Sequence, residues 1–253
     1  MAVSIKSQRE IELMREAGKI LGKVHNELAK EIKPGMTTLK IDQIGEEMIR
    51  SYGCTPSFLG YGGYPASICV SVNEEVVHGI PSKKRILREG DIVSLDAGVI
   101  YKGYHSDAAR TVPVGEISKE ARQLIEVTKQ SFFEGIKFAK EGCRLHDISN
   151  AIAAYNESFG YGVVRDLVGH GIGTALHEDP QIPNFTQTRR GIKLYAGMTL
   201  AIEPMVAAGG WPVRFLDDDW TVVTADKSLA AHYENTVLVT KDGPEILSLV
   251  EEE

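Results

Sequence analysis

Gly90-Asp91-Ile92-Val93-Ser94-Leu95-Asp96 and Gly197-Met198-Thr199-Leu200-Ala201-Ile202-Glu203 are the two stretches from which the fold can be read. Each is an apolar, strand-forming run that opens after a glycine and closes on a carboxylate, and the second lies 107 positions beyond the first. In the same register, without a gap, Lys33, Gly35, Ile41, Ser51 and Gly53 recur as Lys140, Gly142, Ile148, Ser158 and Gly160. The element order repeats as well, which predicts an internal duplication. A pseudo-two-fold axis between the halves would turn Asp96 and Glu203 to face each other.

The elements around these runs follow from periodicity and caps. Ser7 with Glu10 reads as a capping box, and Ile11, Met14, Ala17, Leu21, Val24 and Leu28 keep helical spacing until Pro34-Gly35 ends it. A second helix is expected from about Thr38 to Tyr52, then a strand through Ile68, Val70 and Val72. Ile92 to Gly98 and Tyr104 to Val112 read as a hairpin turned at Lys102-Gly103. Helices are expected again over Ser118 to Lys140 and about Leu145 to Phe159, and strands over Thr199 to Val206, Trp220 to Thr224 and Glu234 to Thr240.

Bulk composition excludes several classes. With 253 residues, 43% hydrophobic and 25% charged, the chain can bury a sizeable core and does not resemble a disordered or fibrous protein. A formal net charge of -7 argues against general nucleic-acid binding. Cys54, Cys69 and Cys143 show no CxxC spacing, so neither a disulfide framework nor a thiolate zinc site is indicated. The charged opening, with Lys6, Arg9, Glu10, Glu12 and Arg15, is no signal peptide, and no stretch is apolar enough to span a bilayer. These features predict a cytoplasmic protein without a membrane partner. No apolar stripe is left over for an obligate subunit, so a monomer is expected.

An Asp or Glu is by default a solvated surface group. Asp96 departs from that default, because it ends a mostly apolar strand where an unpaired charge costs several kcal/mol or takes up a proton. Asp107 follows on the partner strand, Glu203 stands before Pro204, and Glu234 opens the alternating run to Val239. Divalent cations would compensate four such acids. His170, flanked by Gly169, Gly171 and Gly173, adds an imidazole, and the glycines are expected to leave its ring open to a site. A packed histidine is the competing reading. Hard oxygens with one imidazole suit Mn, Fe, Co or Zn at a dinuclear centre of open coordination, whose ions would activate a bridging water and polarise a carbonyl. No HExxH, GxSxG or Walker-A pattern offers another mechanism, and Gly60-Tyr61-Gly62-Gly63 reads as a pocket rim.

Asn73-Glu-Glu-Val-Val-His78-Gly-Ile-Pro81, Asp96 with Asp107, His170-Gly-Ile-Gly-Thr-Ala-Leu-His177-Glu178, Glu203-Pro204-Met205 and Tyr233-Glu234-Asn235-Thr236 together resemble methionine aminopeptidases over nearly the whole chain. The resemblance implies the α/β pita-bread fold, with two pseudo-symmetric halves of helices and antiparallel sheet around a central metal pair. It also implies one catalytic domain over 1–253, with halves of about 1–115 and 116–253. Asp96, Asp107 and Glu234 would hold one ion, and Asp107, His170, Glu203 and Glu234 the other. Glu203 would also take the proton of the bridging water, His177 would stabilise the oxyanion, and His78 would meet the backbone nitrogen after the scissile bond. Phe58, Tyr61, Tyr64, Cys69, His78, Leu176, His177 and Trp220 would contact the substrate methionine. Phe58 and Leu176 depart from the common bacterial pattern of cysteine and phenylalanine, which leaves pocket shape open.

The implied activity is removal of the initiator methionine from nascent polypeptides when the second residue is small. Ribosome contact is left open. Only 32 residues separate His170 from Glu203, too few for the helical subdomain that marks type II members, so the resemblance is to type I. An Xaa-Pro aminopeptidase or dipeptidase shares the ligands but normally carries a further N-terminal domain. A non-catalytic peptide-binding module would be expected to have lost ligands, and none is lost here.

Overall fold

A computed structural model describes residues 3–250. The first part of the chain runs through helices α1 (Gln8–Glu31) and α2 (Thr38–Ser51), then strands β1 (Thr55–Pro56), β2 (Ile68–Val72), β3 (Glu75–Val77), β4 (Ile92–Tyr101) and β5 (Tyr104–Pro113). The second begins with α3 (Lys119–Ile136) and α4 (Leu145–Ser158). It continues through β6 (Gly162–Val163), β7 (Gly169–Gly171), β8 (Glu178–Ile182), β9 (Thr199–Ile202), β10 (Met205–Ala207) and β11 (Val213–Phe215). β12 (Val222–Thr224), β13 (Ala230–His232), β14 (Glu234–Val239) and β15 (Pro244–Ile246) close it.

One nine-stranded sheet organises the molecule, in the order β1-β4-β5-β14-β9-β7-β8, with β2 added on β4 and β15 on β14. All its pairings are antiparallel. Side-chain alternation sorts its two faces. Val93 and Leu95 of β4 and Ala108 of β5 join Leu21, Val24 and Leu28 of α1 and Ile41 and Ile49 of α2 in one core. Leu200 and Ile202 of β9 and Val237 and Val239 of β14 join Phe132 of α3 and Ile148 and Ile152 of α4 in another. Burying each such Leu or Phe contributes about 1.5–3 kcal/mol. The intervening residues, Asp96, Asp107, Glu203 and Glu234 among them, are thereby committed to the opposite face. Close packing leaves little slack: a Cβ on Gly45 of α2 would stand 2.7 Å from Ile68 Cγ1.

The 107-residue offset is visible in the backbone. α2 shifted by it gives the bounds of α4. Gly35 and Gly142 have φ of 89° and 91°, and Gly90 and Gly197 have 91° and 92°, left-handed values that favour glycine. The bridge Thr37↔Ile86 recurs as Arg144↔Lys193. Gly35 N donates to Leu87 O at 2.8 Å, and Gly142 N to Leu194 O at 3.1 Å.

Three expectations are corrected. The helix expected to reach Lys140 stops at Ile136, because the chain turns there so that Lys140 and Glu141 pair with Thr240. The strand expected over Thr199 to Val206 is broken at Glu203-Pro204, where β9 stays in the main sheet and β10 enters the three-stranded sheet β13-β10-β6. β12 starts at Val222, leaving Trp220 outside it. Among the described residues no helix is long and apolar enough to cross a membrane.

Candidate metal centre and substrate pocket

Four neighbouring strands and the corner after β9 each contribute one group. Asp96 of β4 and Glu234 of β14 both stand opposite Ala109 of β5, and Asp107 lies two residues from Ala109 on the same face. Asn235 pairs with Ile202, so Glu234 faces Glu203 at the end of β9. His170 of β7 pairs with Ala201, two residues before Glu203. Register alone thus places all five on one face, and the methyl of Ala109 leaves room between Asp96 and Glu234. Thr236 Oγ1 locks β5 to β14, accepting from Asp107 N at 2.9 Å and donating to Asp107 O at 2.9 Å.

Asp107, His170 and Glu234 offer ligand atoms that all lie within 4.8 Å of one another. His170 Nε2 is 3.6 Å from Glu203 Oε1 and 3.9 Å from Asp107 Oδ2. Its Nδ1 lies 2.9 Å from Gly171 O and must donate there, which leaves an Nε2 lone pair toward the acids. The ring of His170 lines the same cavity as the acids, and the glycines beside it have a further role. His170 is buried, and they permit close strand approach: a Cβ on Gly169 would be 2.4 Å from Ala201 O, and one on Gly171 2.2 Å from Asp179 O.

This cluster is electrostatically incomplete. Burial, and then the charge of Asp107, push Asp96 and Glu234 well above the usual carboxylate range, and Glu203 rises for the same two causes. Burial takes Asp107 up to about 7. Burial, followed by His177, takes His170 down to about 3, so at neutral pH it is an uncharged donor of electrons. Asp96 Oδ1, Asp107 Oδ1 and Glu234 Oε1 are buried without any hydrogen-bond partner. Buried acceptors of this kind are normally satisfied. Oxygens and one neutral imidazole, unpaired and converging, fit a divalent cation.

All thirteen residues named from the sequence line a single cavity of about 100 Å³. Phe58, Tyr64, Cys69 and Leu176 form its buried apolar end. Tyr64 donates to Gly79 O at 3.0 Å and meets Trp220 edge-on with centroids 5.0 Å apart. His78, held at φ 59°, stands 6.2 Å from Trp220, and burial takes its pKa down to about 4. Tyr61 and His177 sit at the mouth, with Tyr61 Oη 2.7 Å from His177 Nδ1.

Two supporting residues were not read from the sequence. His232 is fully buried with Nε2 3.7 Å from Glu203 Oε2, and both its ring nitrogens lack hydrogen bonds. Its place two residues before Glu234 was the available signal. Arg110 spans Ala109 O, Glu234 O, Asn235 Oδ1 and Ser248 O with its two terminal nitrogens and lies 4.5 Å over the Tyr233 ring, fixing the start of β14.

The sequence profile described as metallopeptidase family M24 matches residues 12–241. The methionine aminopeptidase of Clostridium acetobutylicum is 60% identical over 249 residues, covering 98% of this chain and 100% of its own. The crystal structure of methionine aminopeptidase from Thermotoga maritima superposes with a TM-score of 0.96 at 47% identity, covering 98% of this chain and 100% of that one. The prolidase from Pyrococcus furiosus is more distant, with a TM-score of 0.78 and 25% identity, and this chain covers only 66% of it. The chain belongs to metallopeptidase family M24, on its methionine aminopeptidase branch.

Proposed function

We propose that this aminopeptidase removes the N-terminal methionine of nascent polypeptides whose second residue is small, using two divalent cations. The carrying observation is the convergence of five donors on one cavity, with Asp96, Asp107 and Glu234 each holding a buried oxygen without a hydrogen-bond partner, beside an apolar pocket closed by Phe58, Tyr64, Cys69 and Trp220. Asp96, Asp107 and Glu234 would hold one ion and Asp107, His170, Glu203 and Glu234 the other, with Asp107 and Glu234 shared. Bound there, the ions supply a water of lowered pKa and a Lewis acid for the scissile carbonyl.

The protein's own groups do the rest. The methionine side chain enters the apolar end, where a flexible thioether packs well against aromatic edges. Glu203 accepts the proton of the attacking water on a carboxylate oxygen and can return it to the leaving nitrogen. His177 donates to the oxygen that gains charge, and His78 meets the backbone nitrogen beyond the scissile bond. The segment between His170 and Glu203 carries β8 and no helix, in keeping with type I. Cys54, Cys69 and Cys143 are free thiols, as suits a cytoplasmic protein. We read 1–253 as one catalytic domain of two related halves, 1–115 and 116–253, acting as a monomer. Chelator-stripped protein should not cleave Met-Ala-Ser, and Mn, Co, Fe or Zn should restore cleavage as the second equivalent binds. Full activity without metal would overturn this reading.

A further inference from the structure

Tyr61 and His177 form the one side-chain hydrogen bond across the mouth of the cleft between named pocket residues, with Oη 2.7 Å from Nδ1 and ring centroids 5.1 Å apart. Among the described residues the Tyr61 hydroxyl makes no other hydrogen bond. Its position is fixed by a tight turn: Tyr61 N donates to Phe58 O and Tyr64 N to Tyr61 O, each at 2.9 Å. Gly60, Gly62 and Gly63 hold φ of 82°, 57° and 91° around it, and a Cβ on Gly62 would press to 3.3 Å from Trp220. The left-handed glycines shape the turn that carries Tyr61 at the rim of the pocket.

A phenol is a better donor than acceptor, because its oxygen lone pair is delocalised into the ring, whereas the bare nitrogen of a neutral imidazole accepts well. The favoured arrangement is therefore Tyr61 O–H donating to Nδ1, which puts the only ring proton of His177 on Nε2. His170, 4.2 Å away between centroids, is in the opposite state, with Nδ1–H donating to Gly171 O and Nε2 bare. Two histidines on one segment are thus set in complementary tautomers by different partners. One presents a lone pair, the other a proton.

We propose that Tyr61 is a positioning residue for His177, its hydroxyl holding the ring in the Nε2–H tautomer and in the orientation from which it can donate to the developing oxyanion. This rests on the assignment of His177 as the oxyanion donor. Tyr61→Phe keeps the ring that lines the pocket and removes only the hydroxyl. A neutral hydrogen bond is worth about 1 kcal/mol, or roughly fivefold in rate, so kcat of the metal-loaded variant should fall about 3–10-fold with KM, melting temperature and metal content unchanged.

Long-range 1H–15N spectra of zinc-loaded protein with labelled histidine should show His177 protonated on Nε2 in the wild type, with the Nδ1–H form gaining population in Tyr61→Phe. A wild-type spectrum showing Nδ1–H, or a variant with unchanged kcat or with a change confined to KM, overturns the proposal. His177→Ala separates the two levels. If that variant is crippled while Tyr61→Phe is not, only the role of Tyr61 falls; if it keeps full turnover, the oxyanion assignment falls with it.

Discussion

Replacing Asp107 by Asn should stabilise the metal-free protein at neutral pH while removing its response to metal. Asp107 is 4% exposed, burial raises its pKa to about 7, and its Oδ1 has no hydrogen-bond partner. A carboxyl whose folded pKa lies above its unfolded value, about 3.9, binds its proton more tightly in the folded state. Its stabilising contribution is complete below pH 4 and is lost as pH rises through 7. A folded pKa of about 7 against about 3.9 unfolded corresponds to at most about 4 kcal/mol, at about 1.36 kcal/mol for each tenfold change in proton affinity. At about 2–4 °C per kcal/mol for a chain of this size, that is a fall of order 10 °C. Asp96, Glu203 and Glu234 are shifted in the same direction by the same burial and by Asp107 itself. The neutral amide removes both the titration and the repulsion. Calorimetry of chelator-treated wild type and Asp107→Asn between pH 5 and 8 should give a melting temperature that falls for the wild type and stays flatter for the variant, crossing to favour the variant by pH 7.5. Added Mn should raise the wild type far more than the variant. Parallel curves, or a metal-free wild type that gains stability toward pH 8, would refute the reasoning.

Other outcomes follow from the same geometry. His170→Ala should lose metal and activity together, whereas His177→Ala should keep its metal and KM while turnover falls about 10²–10³-fold; undiminished turnover in the latter would remove the oxyanion assignment. Arg110→Lys keeps the charge but cannot reach four acceptors with one ammonium, so it should cost about 2–3 kcal/mol of stability, read as a lower denaturation midpoint; an unchanged midpoint would show that the fork does not anchor β14. Norleucine-Ala-Ser should be cleaved within about tenfold of Met-Ala-Ser, because exchanging sulfur for a methylene keeps the length of the side chain and costs less than the about 1–3 kcal/mol of adding or removing a methylene, and Leu-Ala-Ser should be poor. Equal rates for leucine and methionine would remove the pocket assignment.

Much of this was legible in the sequence because the chemistry is carried by local patterns. α1 announces itself by its capping box and 3.6-residue spacing, and the β4–β5 hairpin by Lys102-Gly103, whose φ values of 49° and 86° suit a tight hairpin turn. Asp96 and Glu203 stood out because a carboxylate that follows an apolar strand-forming run needs a partner, although β4 continues past Asp96 to Tyr101. What depends on tertiary pairing was not legible. Pro204 marks a break within Thr199 to Val206, but only the sheet partners of β9 and β10 show that Glu203-Pro204 is a corner between two sheets. The close strand approach that Gly169 and Gly171 permit was not read from the sequence, since backbone crowding leaves no trace in one chain. His232 offered only its place near Glu234, since the group that it approaches is Glu203, and the Tyr61 hydroxyl meets His177, a partner distant in sequence that spacing could not reveal.

The most direct measurement is a peptide panel on one metal-loaded preparation, comparing initial rates for Met-Ala-Ser, Leu-Ala-Ser and Ala-Pro-containing peptides before and after chelation. The structure predicts rapid metal-dependent release of methionine from Met-Ala-Ser, weak action on Leu-Ala-Ser and none on Ala-Pro. Cleavage of Ala-Pro peptides at comparable rates, or methionine release that survives complete removal of metal, would contradict it.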